Sequence, residues 1–173
     1  MTSTGRTAKS GFTLIEIVVS LVLLGILAAT VFNFAGQAVR GFFISRDALE
    51  ITQKAQIALN RMRAEFTYID TTQPVTGTST SITYTAEFPD GQETNTIAYD
   101  AGAGTITLDG VTLIDDVATA GGLVFHYFDS YNGSDTGGYS SGTTTIIGVT
   151  LTMRDSDGTP VTFTTRMYPG KVS

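Results

Sequence analysis

The stretch Lys9–Phe32, KSGFTLIEIVVSLVLLGILAATVF, decides the reading of this chain. From Phe12 to Phe32 it runs 21 residues with one charge, Glu16. At about 1.5 Å of rise per residue, a helix of that length covers roughly 30 Å, the hydrocarbon thickness of a bilayer. The acid is the anomaly. A charge within the hydrocarbon costs on the order of 3 kcal/mol on insertion scales, so an intramembrane acid normally has a partner. Arg6 and Lys9 precede the span and favour a cytoplasmic N-terminus, although Arg40 and Arg46 beyond it reduce the bias. A secretory signal peptide would have an apolar core of roughly 7–15 residues followed by a small-residue cleavage site. Here the run is longer, and the small residue, Gly11, lies before it.

These residues resemble the processing motif of type IV pilins and pseudopilins: a short basic leader, a final leader glycine, then phenylalanine first and glutamate fifth in the mature chain. The resemblance implies cleavage between Gly11 and Phe12 by a membrane-embedded prepilin peptidase and N-methylation of Phe12. It makes Arg6 and Lys9 the basic residues of the leader and Glu16 the fifth mature residue. Gly25 stands where the family commonly has a glycine. The physics of the acid fits this processing. A new amine on Phe12 has an ordinary pKa of about 8 and is cationic at neutral pH. Axially staggered helices can set one subunit's Glu16 against its neighbour's amine, and removing one partner of a buried pair typically costs about 3–5 kcal/mol. A single-chain alternative stays open. Phe12 and Glu16 are four residues apart on one helix face, and an acid in the first turn also suits the helix dipole.

Beyond the span, apolar residues recur at Ala55, Leu59, Met62, Phe66 and Ile69, the spacing of one face of an amphipathic helix. The expectation is one helix over residues 12–69, about 85 Å at full extension. Gly25, Asn33, Gly36 and Gly41 are its points of low helix propensity. Asn33 occupies a place where family members often carry proline, and no proline precedes Pro74, so no sharp proline kink is expected. Gly25 and Ala29 form a small-xxx-small pair suited to close helix contact.

After residue 70 the composition turns to Thr, Gly and alternating apolar residues. ITYTAEF (82–88) and NTIAYD (95–100) flank PDGQ; TITL (105–108) and VTLI (111–114) flank Asp109-Gly110, a two-residue hairpin signal. LVFHYF (123–128), TTIIGVTLTM (144–153) and VTFTTRM (161–167) complete six or seven strands. One long helix followed by these strands predicts an α+β fold with an antiparallel β-sheet head. The C-terminal pattern, with ALNRMRAEF (58–66), resembles J-type minor pseudopilins of type II secretion and W-type minor pilins.

Charge and composition narrow the function. Residues 70–173 hold twelve acids against three cations, while residues 37–69 are net positive and the whole chain is −6. A head this acidic excludes non-specific nucleic-acid binding through phosphates. There is no cysteine and one histidine, His126, so thiol chemistry, multi-histidine metal sites and Ser-His-Asp catalysis are not expected. His126 alternates within a strand and reads as a half-buried structural residue. Adjacent strand residues point to opposite faces, so Asp115 and Asp116 have no obvious partner for general acid/base work. DSDG (155–158) reads as a hairpin turn. In the loop DSYNGSDTGGYSSGT (129–143), Asp129, Asn132 and Asp135 are possible calcium ligands, without the spacing of an EF-hand. Tyr131 and Tyr139 are alternative contacts for a neighbouring subunit.

The domain reading is a leader (1–11), a long helix (12–69, with 12–34 in the membrane or fibre core) and a β-rich head (70–173) outside the cytoplasm. The resemblance implies a structural subunit, not an enzyme, with no cofactor and no metal. Its implied partners are other pilin or pseudopilin subunits, the prepilin peptidase, an inner-membrane assembly platform and the lipid bilayer. The filament would be a secretion pseudopilus or a surface type IV pilus. The reading from another class is an uncleaved, membrane-anchored binding protein.

Overall fold

The computed structural model describes Gly11, residues 13–155 and residues 157–170. The chain divides into two compact units, Met1–Ser45 and Arg46–Ser173. One helix, α1 (Leu14–Thr67), supplies residues to both. Its start is marked by Thr13, whose carbonyl accepts from the amides of Glu16 and Ile17. Glu16 thus lies in the first turn, where the helix dipole favours an acid. The helix is continuous through Gly25, Asn33, Gly36 and Gly41, as the lack of proline anticipates. Asn33 Nδ2 donates to the Ala29 carbonyl at 2.9 Å, which satisfies its amide without leaving the helix.

In the first unit every described residue from Leu14 to Phe34 is exposed. Nothing in this chain covers that apolar surface among the described residues, and the segment is long and apolar enough to cross a membrane.

The second unit is built on the C-terminal part of α1. Ile51, Ala55, Ala58, Met62 and Phe66 are buried at steps of four, three, four and four, and Leu59 packs beside them. The stripe therefore lies close to the one expected, with Ala58 in place of Leu59 at its centre. α1 ends at Thr67, two residues before the sequence expectation. Its last carbonyls are met by the amides of Tyr68 and Ile69 in a tight final turn and by Gly170, which donates to the Phe66 carbonyl at 3.0 Å. Gly170 adopts φ +67°, and a Cβ there would meet the Ile69 carbonyl at 2.9 Å, so this closure requires glycine.

Eight strands follow: β1 (Thr76–Gly77), β2 (Ser81–Phe88), β3 (Gly91–Asp100), β4 (Thr105–Leu108), β5 (Val111–Ile114), β6 (Leu123–Phe128), β7 (Ile146–Arg154) and β8 (Pro160–Met167). They form two antiparallel sheets, β1-β2-β3-β4-β5 and β6-β7-β8, the antiparallel β-head of the expected α+β fold. The division falls in the segment after β5, where Asp116 takes a left-handed φ of 58° and Gly121 one of 63°. Two such residues turn the chain out of the first sheet. The β4–β5 turn has Asp109 and Gly110 both at positive φ, 52° and 77°, the backbone of a type I′ hairpin. Asp109 also accepts from the Thr96 amide at 2.6 Å, tying the turn to β3.

Alternation along the strands gives one core. Ile82, Tyr84, Ile97 and Ile106 come from the first sheet and Phe125, Tyr127, Val149 and Leu151 from the second. Phe66 of α1 joins them: its ring meets Tyr84 edge-on at 5.8 Å and Phe125 at 6.2 Å. Such aromatic pairs contribute roughly 0.5–1.5 kcal/mol each beyond area burial.

Candidate functional site

Of the residues expected to carry processing and assembly, Arg6, Lys9 and Phe12 lie outside the described residues. Gly11 is exposed, with nothing within 4 Å of where a Cβ would stand, so a protease meets no packed chain there. Glu16 is exposed in the first turn of α1. Its backbone carbonyl accepts from Ser20 Oγ at 2.7 Å, and among the described residues its carboxylate forms no ion pair. The surroundings sharpen the anomaly, because its neighbours Ile15 and Ile17 are 71 % and 50 % exposed. An acid in an uncovered apolar surface is unsatisfied wherever that surface leaves water.

The glycines of this segment point the same way. Gly25, Gly36 and Gly41 each have open space around the position of a Cβ. A glycine costs about 1 kcal/mol relative to alanine inside a helix. No contact among the described residues requires that cost, and small residues of this kind suit close approach of another helix.

Residues 6–32 match the family model of the prokaryotic N-terminal methylation motif. The match covers the N-terminal segment alone, which is similar there to type IV pilin-like proteins. The motif and the long apolar helix suit anchoring in the inner membrane. No curated protein and no solved structure matches the chain significantly.

The second unit holds a charged site that sequence reading missed. Glu65 is 1 % exposed, although it is an acid outside the apolar stripe expected on α1. Arg61 Nη2 approaches its Oε1 at 2.7 Å, while Tyr84 Oη and Asn95 Nδ2 donate to Oε2 at 2.9 and 3.1 Å. Burial and then the Glu65 charge push the Tyr84 phenol well above its ordinary pKa, so it stays a donor. The available signal was weak: Arg61 and Glu65 are four apart, and Asn95 breaks the polar-out alternation of its strand.

A second correction concerns Asp115 and Asp116. They follow β5, and the left-handed Asp116 brings both carboxylates to Lys54 Nζ, at 2.9 and 2.5 Å. Alternation failed because the pair lies beyond the strand. Hydrogen bonds to the two carboxylates raise the Lys54 pKa, and the Lys54 hydrogen bond lowers that of Asp115.

In the 129–143 loop, Asp135 faces the second sheet, accepting from the amides of Tyr127 and Gly137 at 3.0 and 2.9 Å and pairing with His126 Nδ1 at 2.7 Å. Burial pushes its pKa up, but these bonds outweigh it and hold the carboxyl below its usual range. His126 is half-buried, with Thr150 on its other ring nitrogen. Asp129 accepts instead from Ser130 Oγ. The three proposed calcium ligands therefore do not act as one set, since Asp135 serves the fold; among the described residues no group of three acidic or histidine ligands converges. Tyr131 is 65 % exposed and lies beside Arg166, which donates to its carbonyl at 2.6 Å. At DSDG, Asp155 accepts from the Asp157 and Thr159 amides, the local bonding of a turn.

Proposed function

We propose that this chain is a minor pilin-like structural subunit of a type II secretion pseudopilus, processed between Gly11 and Phe12 and assembled through the N-terminal half of α1. The observation that carries this reading is Glu16: an acid without an ion-pair partner among the described residues, in the first turn of an uncovered apolar helix, inside a methylation motif. Cleavage creates the missing cation on Phe12. In a staggered stack, that amine neutralises the Glu16 of an adjacent subunit as both leave lipid, and closing the pair selects one register. Arg6 and Lys9 hold the leader on the cytoplasmic side until the cut, and the 12–34 segment serves first as anchor and then as fibre core. The 70–173 head lies outside the cytoplasm and presents contacts to other subunits or to cargo, and the assembly platform and bilayer are its partners before assembly.

The pattern from α1 through β8 also suits a minor pilin of a surface type IV pilus, and the chemistry of Glu16 is the same in both. Deleting the genes of one filament system and then the other, with cross-linking of the chain to its neighbours, separates the two. The first test is the N-terminal mass of membrane-extracted protein with and without prepilin peptidase. A peptidase-dependent chain starting at methylated Phe12 is expected. A chain that keeps Met1–Gly11 beside active peptidase would make this an uncleaved anchored protein and would remove the proposal.

A further inference from the structure

A cleft of about 330 Å³ opens in the second unit between the 139–145 loop, the turn after α1 and the chain after β8. It lies within the size range of small-molecule sites. Its described lining includes Thr71, Tyr139, Thr144, Thr145 and Tyr168 and contains no Asp, Glu, Lys, Arg or His. Two tyrosine rings and three threonine hydroxyls, with no charged side chain among the described lining residues, make an unusual composition in a head with twelve acids.

The walls are fixed before any ligand arrives. Tyr139 packs edge-on against Tyr127 at 6.0 Å, and Tyr127 Oη donates to the Thr78 carbonyl at 2.8 Å. The loop closes on itself, with the Thr144 amide donating to the Ser140 carbonyl and the Ser140 amide donating to Thr144 Oγ1, both at 2.9 Å. The chain after β8 is tied down by the Gly170 bond to the end of α1.

The hydroxyls are left in complementary states. Thr144 Oγ1 accepts from Ser140, so its own proton remains to donate. Thr145 Oγ1 spends its proton on the Asp129 carbonyl at 2.7 Å, so its lone pairs remain to accept. The Thr71 and Tyr139 hydroxyls form no hydrogen bond among the described residues and can do either. A ligand matching this set must donate and accept from neighbouring positions, carry no charge and offer an apolar face to a tyrosine ring. Phosphates, carboxylates and amines would be desolvated there without a counter-charge. We propose that this cleft binds a neutral saccharide, with Tyr168 and Tyr139 against the C–H faces of the sugar and Thr71, Thr144 and Thr145 on its hydroxyls. A proline-rich peptide also suits aromatic grooves, but it lacks the paired donors and acceptors that the threonines address.

The test is saturation-transfer NMR on the full chain in a detergent without a sugar headgroup. The probes are glucose, galactose, N-acetylglucosamine and lactose, beside glucuronate and a proline-rich decapeptide. Transfer to the ring protons of at least one neutral sugar is expected. It should fall at least fivefold in Tyr168→Ala, a 47 % exposed position, provided that circular dichroism shows the variant folded, and persist in Tyr131→Ala. The Tyr139→Ala variant should behave like Tyr168→Ala if circular dichroism shows it folded. No transfer from any of the four sugars, transfer that survives Tyr168→Ala, or preference for glucuronate or the peptide would overturn the assignment. The outcome is independent of leader processing and filament incorporation, so it stands or falls apart from the assembly role.

Discussion

Two glutamates on one helix meet opposite environments. Glu16 stands exposed among apolar side chains with no ion pair among the described residues, whereas Glu65 is buried with Arg61, Tyr84 and Asn95 around it. In the second unit the chain satisfies its own acid: each Glu65 oxygen has a donor, and no buried side-chain polar atom among the described residues lacks a partner. Among the described residues of the first unit, the acid has no ion pair and the apolar surface is uncovered. The difference teaches where each unit finds its stability. The second unit buries its own apolar stripe, while the proposed burial of the first in lipid or against other helices would be worth about 25 cal/mol per Å² of apolar surface that leaves water.

The largest expected effects come from breaking this contrast at the two acids. Glu16→Ala removes a charge from an apolar span, so membrane insertion and thermal stability should be unchanged or slightly improved. Incorporation into filaments should fall by two orders of magnitude or more, as a lost buried pair of about 3–5 kcal/mol implies. Sheared-filament yield against total membrane protein reads this out, and wild-type incorporation would remove Glu16 from assembly. Glu65→Ala should do the reverse in the first instance. It strands the Tyr84 and Asn95 donors in the core and should cost about 3 kcal/mol in a denaturant titration, because orphaned buried groups cost roughly 1–3 kcal/mol each. Glu65→Gln keeps an acceptor for Tyr84 and should recover at least half of that loss.

A smaller effect sharpens the same comparison at the glycines. Gly25→Ala should raise the stability of the isolated helix by about 1 kcal/mol or less, since open space surrounds the new Cβ. Gly25→Leu should also leave the monomer folded, yet lower filament yield if close helix approach uses that position. Equal yields for both variants would show that the small surface is unused.

The first unit was legible in sequence because its signal is local: hydropathy over twenty residues, one acid at a fixed distance from one glycine, and no proline. The hairpin at Asp109-Gly110 was legible for the same reason, as a two-residue turn declares its own backbone. What failed was non-local. The division of the antiparallel strands into two sheets follows the left-handed turn at Asp116, which no periodicity announces. Alternation misplaced Asp115 and Asp116 because it presumes that the strand continues past Ile114. Glu65 was missed because a buried acid looks like a solvated one until Tyr84 and Asn95, from two other strands, arrive beside it. The 12–34 membrane segment and the cut at Gly11–Phe12 remain proposals that rest on the motif.

Lys54 provides the smallest and most pH-specific prediction. It is 30 % exposed and Asp115 is 62 % exposed, so the bridge is screened by water and salt and should contribute about 1 kcal/mol or less. The Asp115 pKa is lowered in the folded state, chiefly by the Lys54 hydrogen bond. Its contribution is therefore complete above the unfolded carboxylate value of about 3.9 and is lost as pH falls through the lower folded value. The Lys54 pKa is raised, so its contribution is complete below its unfolded value of about 10.4 and disappears only in stronger alkali. The stability difference between the wild-type chain and Lys54→Met should accordingly be flat from about pH 5 to about pH 10 and shrink below about pH 4. Raising the salt to about 1 M should shrink it at every pH, because the screening length falls to about 3 Å. A difference that stays unchanged on acidification and in high salt would show that Lys54 does not act through its pair of aspartates.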